Sequence, residues 1–577
     1  MASFLKQRSL ALLDRSRRFG WVDLLVVVGL AGLLFGLIDV AHEWRGTIRP
    51  AVEIDLSPRA LPQYTFFSLS RGLLAYVLSF GFTLVYGYWA AKDQIAERVL
   101  IPLLDILQSI PVLGFMPGLV LALVALFPSS NVGLELAAIL MIFTGQAWNM
   151  TFSFYHSLRS VPQDQREVCT LYRFGWWQRL KWVELPFSVI GLVWNSMMSM
   201  AGGWFFLMIN EAFVLGNKDF RIPGVGSYMS VAVARGNVTA MIWAIVAMTL
   251  MIVLLDQLLW RPVVVWAQKF RVEEGGQQER MTSFFLDWLR RSHLLAWLSE
   301  LIQEMKIERK SDPVEPADQE LSPESSVDWA SFVSLIFFLA LLSGLGYGAY
   351  KLVRLLEGVS LAEWRIIVAA AFWTLGRVLL ATALGTVWAL PAGIAIGLSP
   401  KLSRVLQPAV QVVASFPAPM LFPLVIAGLK IAGVSLGWGS ILLMLLGTQW
   451  YILFNVVAGA MAIPSDLREA ARSYRMDTSQ KFWNVYLPAV FPYLVTGWVT
   501  AAGGAWNASI VAEFVTFRGE ILTAWGLGAQ ISRAADTADF PMLAASVLVM
   551  SAMVVIFNRT VWRRCYRLAE ERFSLSR

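Results

Sequence analysis

Apolar runs of about 20 residues, enough to cross a bilayer core at roughly 1.5 Å of rise per residue, recur along the whole chain. Six lie in the first half, at 21–41, 66–91, 99–127, 132–156, 187–212 and 239–262. Six more lie in the second, at 328–352, 366–398, 404–433, 437–462, 489–514 and 541–562. The pattern predicts an all-α polytopic membrane protein of about 12 transmembrane helices.

Two polar islands interrupt this pattern. One runs from Pro162 to Pro186, the other from Pro464 to Pro488, and ten of their 25 positions are identical without a gap. Ser465 is expected to cap a short helix, since Asp466, Leu467, Arg468, Glu469, Ala470 and Ala471 suit its first turns. A second short helix is expected to follow along the membrane face, with Pro488 where the next span begins, a position that tolerates proline. A polar loop held between spans and present twice suggests a docking surface.

The duplication extends well beyond the islands. An offset of 306 pairs Arg71 with Arg377, Gly87 with Gly393 and Pro111 with Pro417. From Trp148 onward an offset of 302 pairs Trp148 with Trp450, Trp204 with Trp506, Glu211 with Glu513 and Gly226 with Gly528. Each repeat has an even number of spans, so both point the same way. That predicts two parallel six-helix repeats, with any pathway between them.

Lys6, Arg8, Arg15, Arg17 and Arg18 precede the first span, which predicts a cytoplasmic N-terminus by the positive-inside rule. Alternation then places both islands, the 263–327 segment and the C-terminus in the cytoplasm. The N-terminal apolar run lacks a small-residue cleavage pattern and is long enough to span, so it reads as a retained helix. The division expected is 1–64 for tail, first span and outer loop; 65–265 for the first repeat; and 266–327 for a linker. It continues with 328–365 for the seventh span and its loop, 366–565 for the second repeat and 566–577 for a cytoplasmic tail. Residues 311–326 are rich in Pro, Glu and Ser and predict flexibility. Phe284–Met305 reads either as an amphipathic helix on the inner leaflet or as a plain connector.

Composition narrows the class. Of 577 residues, 57% are hydrophobic and 15% charged, and the mean hydropathy is +0.60. This excludes an ordinary soluble protein. Basic loops explain the net charge of +7, so it does not imply nucleic acid. Two cysteines and three scattered histidines offer neither a disulfide framework nor metal-ligand spacing. No catalytic cluster is predicted. The sequence contains no G-x-x-x-x-G-K-[ST], so any nucleotide hydrolysis has to come from a partner.

Charges within spans are costly and functional by default. Arg71, Glu211, Arg377 and Glu513 are repeat-matched, and two ion pairs, Arg71–Glu211 and Arg377–Glu513, are expected to lock spans within each half. The alternative is that the arginines face the path and attract an anion. Uncharged polar residues within spans are candidates to line the path: Gln108, Ser109, Asn210, Ser415, Asn507 and Ser509. Aromatic Trp204, Phe205, Phe206 and Trp506 are placed to narrow it or to pack helices.

Glu469-Ala470-Ala471, with Leu487-Pro488 sixteen residues on, resembles the "EAA loop" of permease subunits of binding-protein-dependent ABC importers. Leu375-Gly376-Arg377, Ser415-Phe416-Pro417 and Gly526-Leu527-Gly528 resemble its nitrate/sulfonate/taurine/bicarbonate branch. The first copy, Glu167-Val168-Cys169, keeps the acid and loses both alanines. The resemblance implies a type I ABC importer permease fold, with two permease units fused in one chain of a prokaryotic inner membrane. It further implies that the islands are coupling helices docking two ABC ATPase subunits, through Asp164, Arg166, Glu167, Tyr172 and Arg173. Their counterparts in the second island are Asp466, Arg468, Glu469, Ala470, Ala471, Tyr474 and Arg475. ATP and Mg would be bound by those partners and no cofactor by this chain. A periplasmic or lipid-anchored solute-binding protein would deliver a small solute, with an anion such as nitrate, sulfonate or bicarbonate expected. The family usually has glycine where Arg173 and Arg475 stand. Either the bend there differs, or the tyrosine–arginine pairs make a contact of their own. A secondary transporter driven by an ion gradient is the alternative that parallel repeats also allow.

Overall fold

A computed structural model describes residues 21–46, 53–215, 218–270, 283–292, 294, 329–517 and 519–573. The basic N-terminal residues, the Pro/Glu/Ser-rich stretch and most of Phe284–Met305 lie outside the described residues. The chain divides into two compact units, Met1–Glu43 with Leu254–Leu345, and Trp44–Val253 with Gly346–Arg577.

In chain order the first half carries α1 (Trp21–Arg45), α2 (Leu61–Lys92), α3 (Gln94–Ser109), α4 (Val112–Leu126), α5 (Val132–Arg159), α6 (Gln163–Leu171), α7 (Trp176–Arg179) and α8 (Leu185–Glu211). A hairpin of β1 (Val214–Leu215) and β2 (Lys218–Asp219) follows, then α9 (Val225–Ala234), α10 (Val238–Leu255), α11 (Arg261–Ala267) and α12 (Phe284–Leu289). The second half carries α13 (Trp329–Leu356), α14 (Leu361–Leu398), α15 (Pro400–Ser415), α16 (Phe422–Ile431), α17 (Leu436–Met461), α18 (Ser465–Ser473), α19 (Thr478–Lys481) and α20 (Leu487–Ala512). Its hairpin is β3 (Phe514–Phe517) with β4 (Glu520–Thr523), followed by α21 (Leu527–Asp536), α22 (Phe540–Phe557) and α23 (Arg563–Phe573).

Among the described residues nine helices are long and apolar enough to cross a membrane, ten if the bent pair Lys401–Ser415 and Ala418–Ile431 is one span. Phe35, Val85, Val387 and Trp438 are exposed on their surfaces, as lipid-facing side chains are. This is a multi-pass membrane protein. Of the twelve spans expected, the third and the ninth are each broken in two, as α3 with α4 and as the bent pair. The breaks fall at Pro111 and Pro417. Proline removes a backbone donor and biases the preceding residue to extended backbone, and Ile110 and Phe416 accordingly have ψ of 125° and 129°. The second break bends by 78°.

Within the larger unit the repeats use matched contacts. A Cβ on Gly87 would meet Phe154 Cδ1 at 2.9 Å, and one on Gly393 would meet Val456 Cγ1 at 2.6 Å. These glycines let α2 approach α5, and α14 approach α17, at the same step of each repeat. The broken spans cross between halves: α4 packs against α20 and α22, and α15 against α8. The two hairpins were not predicted; each carries the chain from α8 or α20 towards the short helix α9 or α21.

In the smaller unit, Asp23 at the start of α1 is buried and accepts from Ser292 Oγ at 2.7 Å and Leu294 N at 2.9 Å. Ser283 caps α12 by accepting from Leu286 N at 3.3 Å.

Candidate functional site

Each polar island folds into a nine-residue helix and a bend, after which the chain re-enters a long helix. The caps differ from expectation. Pro464, not Ser465, precedes α18, and the Ser465 hydroxyl lies 3.2 Å from Asp466 Oδ1. Nor does a second helix lie apart on the membrane face. From Trp176 and from Thr478 the chain runs continuously into α8 and α20. It does so through wide turns at Leu180–Glu184 and Phe482–Tyr486, where Leu185 N donates to Leu180 O and Leu487 N to Phe482 O. The wide turn re-registers the helix where Pro186 and Pro488 cannot donate.

The bend between the short helices is left-handed. Arg173 and Arg475 both have φ of +49°. Arg173 N donates to Thr170 O and Phe174 N to Cys169 O, at 3.1 and 2.9 Å. Arg475 N and Met476 N repeat this on Arg472 O and Ala471 O, at 2.9 and 3.1 Å. This Schellman closure normally takes glycine at the left-handed position. The usual bend is therefore present, with arginine in glycine's place. In α18, Ala471 is buried while Glu469 and Ala470 are exposed; in α6, Cys169 is buried while Glu167 and Val168 are exposed. Asp164, Asp466, Tyr172 and Tyr474 are exposed as well. Arg166 Nη2 folds back onto Arg159 O at 2.8 Å. Arg468 is half-buried, and its Nε has no hydrogen-bond partner among the described residues.

The intramembrane charges cluster in each half. Arg71 Nη1 donates to Glu211 Oε1 and to Pro223 O, both at 2.7 Å. Its Nε and Nη2 donate to the two oxygens of Glu135, both at 2.6 Å. Glu211 also accepts from Ser68 Oγ at 2.7 Å and from Gly226 N, at the start of α9, at 2.8 Å. In the second half Arg377 Nη1 donates to Glu513 Oε1 at 2.8 Å and Trp525 O at 3.0 Å. Glu513 accepts from Thr374 Oγ1 at 2.9 Å and Gly528 N at 2.9 Å. Each carboxylate thus sits where the start of a short helix and an arginine both favour negative charge. The glycines leave room for it: a Cβ on Gly224 or Gly526 would fall 2.3 Å from the Glu211 or Glu513 carboxylate.

A cavity of about 470 Å³ lies between the two halves of the larger unit. Matched pairs from the two halves line it, among them Asp105 with Gln411, Trp148 with Trp450 and Gly202 with Gly504. Of the pathway candidates, Gln108, Ser415 and Asn507 line it. Asn210 and Ser509 do not. Asn210 is buried beside Met116 and Phe213, with neither side-chain polar atom bonded among the described residues. Ser509 Oγ donates to Trp506 O at 2.7 Å in the packed interior of α20. The side chain of Ser109 lies outside what the structure describes. Phe205, Phe206 and Trp506 line the cavity, whereas Trp204 is buried with its ring where a Cβ on Gly72 would be.

Neither Arg71 nor Arg377 lines the cavity. Two acids went unremarked, Asp105 on the cavity wall and Glu135 against Arg71. Both lie inside predicted spans, and the criterion that selected Arg71 also selects them. Among the described residues no group of three His, Cys, Asp or Glu side chains is placed to hold a metal ion.

The profile of the family described as "Binding-protein-dependent transport system inner membrane component" matches the chain twice, at residues 83–259 and 381–561. A nitrate import permease protein of Synechocystis sp. is 31% identical over 144 residues, 25% of this chain and 51% of that protein. A bicarbonate transport system permease protein of the same organism is 32% identical over 151 residues, 25% of this chain and 51% of that protein. A taurine transport system permease protein of Escherichia coli is 25% identical over 185 residues, 32% of this chain and 64% of that protein. The chain spans about half the length of the first two relatives and under two thirds of the third.

Proposed function

The chain belongs to the family of binding-protein-dependent transport system inner membrane components, in two copies, and on that basis we propose that it forms by itself the whole membrane-spanning part of an ABC importer. Two partner ATPase subunits dock on α6 and α18 and bind the ATP and Mg. A solute-binding protein delivers a small solute from the other side. The islands, the linker and both termini face the cytoplasm of a prokaryotic cell, and the chain sits in its inner membrane. Relatives named for nitrate, bicarbonate and taurine favour a small anionic or zwitterionic solute. The observation that carries the reading is the pair of exposed, matched helices, each closed by the same left-handed arginine bend. A surface that is polar, repeated and rigidly closed suits a lever that passes ATPase movement to the spans behind it. The continuous run from Thr478 into α20 suits the same role, because a rigid helix transmits displacement without a hinge.

Association decides it. With the chain and its ATPase co-expressed, Glu469→Lys reverses charge on an exposed face and is expected to reduce co-purification of the ATPase and abolish uptake. Unchanged association and uptake would reject the assignment of α18.

A further inference from the structure

The cavity wall has the wrong chemistry for a bare inorganic anion. Among the described residues lining it there is no Lys, Arg or His, and its one charged side chain is Asp105. Helix starts are the other common anion sites, and two of them, at Val112 and Ala418, border the cavity. Three of the donors there are engaged. Val112 N donates to Asn507 Oδ1 at 2.9 Å, Gly114 N to Pro111 O at 3.1 Å and Met420 N to Pro417 O at 3.0 Å.

The wall instead suits a cation. Eleven of the 37 lining residues are aromatic, including Trp148, Trp450, Tyr451 and Trp506 from both halves. Aromatic faces attract ammonium groups electrostatically, tryptophan most strongly. Asp105 supplies the counter-charge. Gln108, Gln411 and Asn149 supply neutral donors and acceptors for the rest of the solute. The volume also suits an organic molecule, falling within the range of roughly 300–1,000 Å³ typical of small-molecule sites. A nitrate or bicarbonate ion would fill a small part of it.

We infer that the solute passing through this cavity carries an organic cationic group, an ammonium alone or within a zwitterion, held between Asp105 and the tryptophan faces. The inference rests on the importer reading for treating the occupant as a transported solute.

Full-length chain in lipid nanodiscs, without ATPase or binding protein, is titrated with choline, taurine and sodium nitrate while tryptophan fluorescence is followed. Choline is expected to give a saturable change and nitrate none; taurine, if bound, depends on Asp105 as choline does. Asp105→Asn is expected to weaken choline about tenfold or more, the scale of losing a charged contact. Gln411→Glu adds a carboxylate at the matched position and is expected to tighten choline binding. It decides the matter if Asp105→Asn fails to fold. Saturation by nitrate without choline, choline binding indifferent to both substitutions, or no response to any probe would overturn the inference. None of these outcomes bears on ATPase association, which tests the importer reading separately.

Discussion

Arg71 grips Glu135 with two parallel hydrogen bonds of 2.6 Å, and at the matched place in the second half Arg377 Nε donates to the main-chain oxygen of Gly437 at 3.1 Å. Position 437 is the counterpart of 135 at the offset of 302. The first half thus closes its cluster on two carboxylates, Glu135 and Glu211, and the second on one, Glu513. Removing one partner of a buried pair typically costs about 3–5 kcal/mol, because the remaining charge is stranded. Arg71→Met strands two acids and Arg377→Met strands one. Arg71→Met is therefore expected to lower the Tm of detergent-solubilised protein further than Arg377→Met. Equal Tm values, or the reverse order, would contradict this.

The Gly-x-Gly step beside each cluster gives a sharper contrast. A Cβ on Gly528 would lie 2.4 Å from the backbone oxygen of Ser509, which cannot swing away as a side chain could. Forcing atoms into a packed site typically costs about 1–3 kcal/mol. Gly376, in the middle of α14, has nothing within 4 Å of such a Cβ. There alanine improves on glycine by about 0.5–1 kcal/mol through backbone entropy. Gly528→Ala is expected to lower the Tm and Gly376→Ala to hold or raise it. A Gly528→Ala protein with unchanged Tm would show that α20 and α21 are not held that closely.

These residues show what was legible in the sequence. The helical membrane architecture and the repeat followed from apolar run length and from ungapped identity. Repeat matching also led to Arg71 with Glu211 and Arg377 with Glu513, which stand 2.7 and 2.8 Å apart. Span continuity was misjudged because hydropathy is blind to the backbone: Pro111 and Pro417 are apolar enough to pass, yet they break the helix. Glu135 was missed because its counterpart in the other half is Gly437, so comparing the repeats gave no matched charge. Asp105 was missed likewise, its counterpart being Gln411. Cavity lining could not be separated from helix packing along α8 and α20. Phe205 lines the cavity while Trp204, one residue away, is buried against Gly72, and run length carries no information on which way a side chain faces.

Arginine at a left-handed position invites a direct test. Arg475 has φ of +49° with its side chain exposed, and a non-glycine residue there costs about 1–2 kcal/mol. Arg475→Gly removes that strain while keeping the closing hydrogen bonds, which are made by main-chain groups. It is expected to raise the Tm slightly and to weaken ATPase association, since an exposed arginine kept in a strained position suits a contact with a partner. A lowered Tm would mean that the side chain holds the bend. Association unchanged or strengthened would remove Arg475 from the docking surface.

The two alanines after Glu469 separate the chain's own packing from docking. Both were expected to serve close approach to an ATPase, yet Ala471 is 2% exposed while Ala470 is open to solvent. Ala471 O also accepts from Met476 N, so its position is fixed by the bend. Leucine at 471 adds three carbons, a branch point with two methyls, where there is no space, and overpacking of this kind typically costs about 1–3 kcal/mol. Leucine at 470 meets only solvent in the isolated chain, so its effect on stability is expected within about 0.5 kcal/mol. Against a partner seated on the exposed face of α18, the same leucine is a steric obstacle. Ala470→Leu is therefore expected to keep the wild-type Tm and lose ATPase co-purification, whereas Ala471→Leu lowers the Tm whether or not ATPase is present. If Ala470→Leu binds ATPase as the wild type does, the partner does not seat on that face, and the exposed acid at 469 serves some other contact.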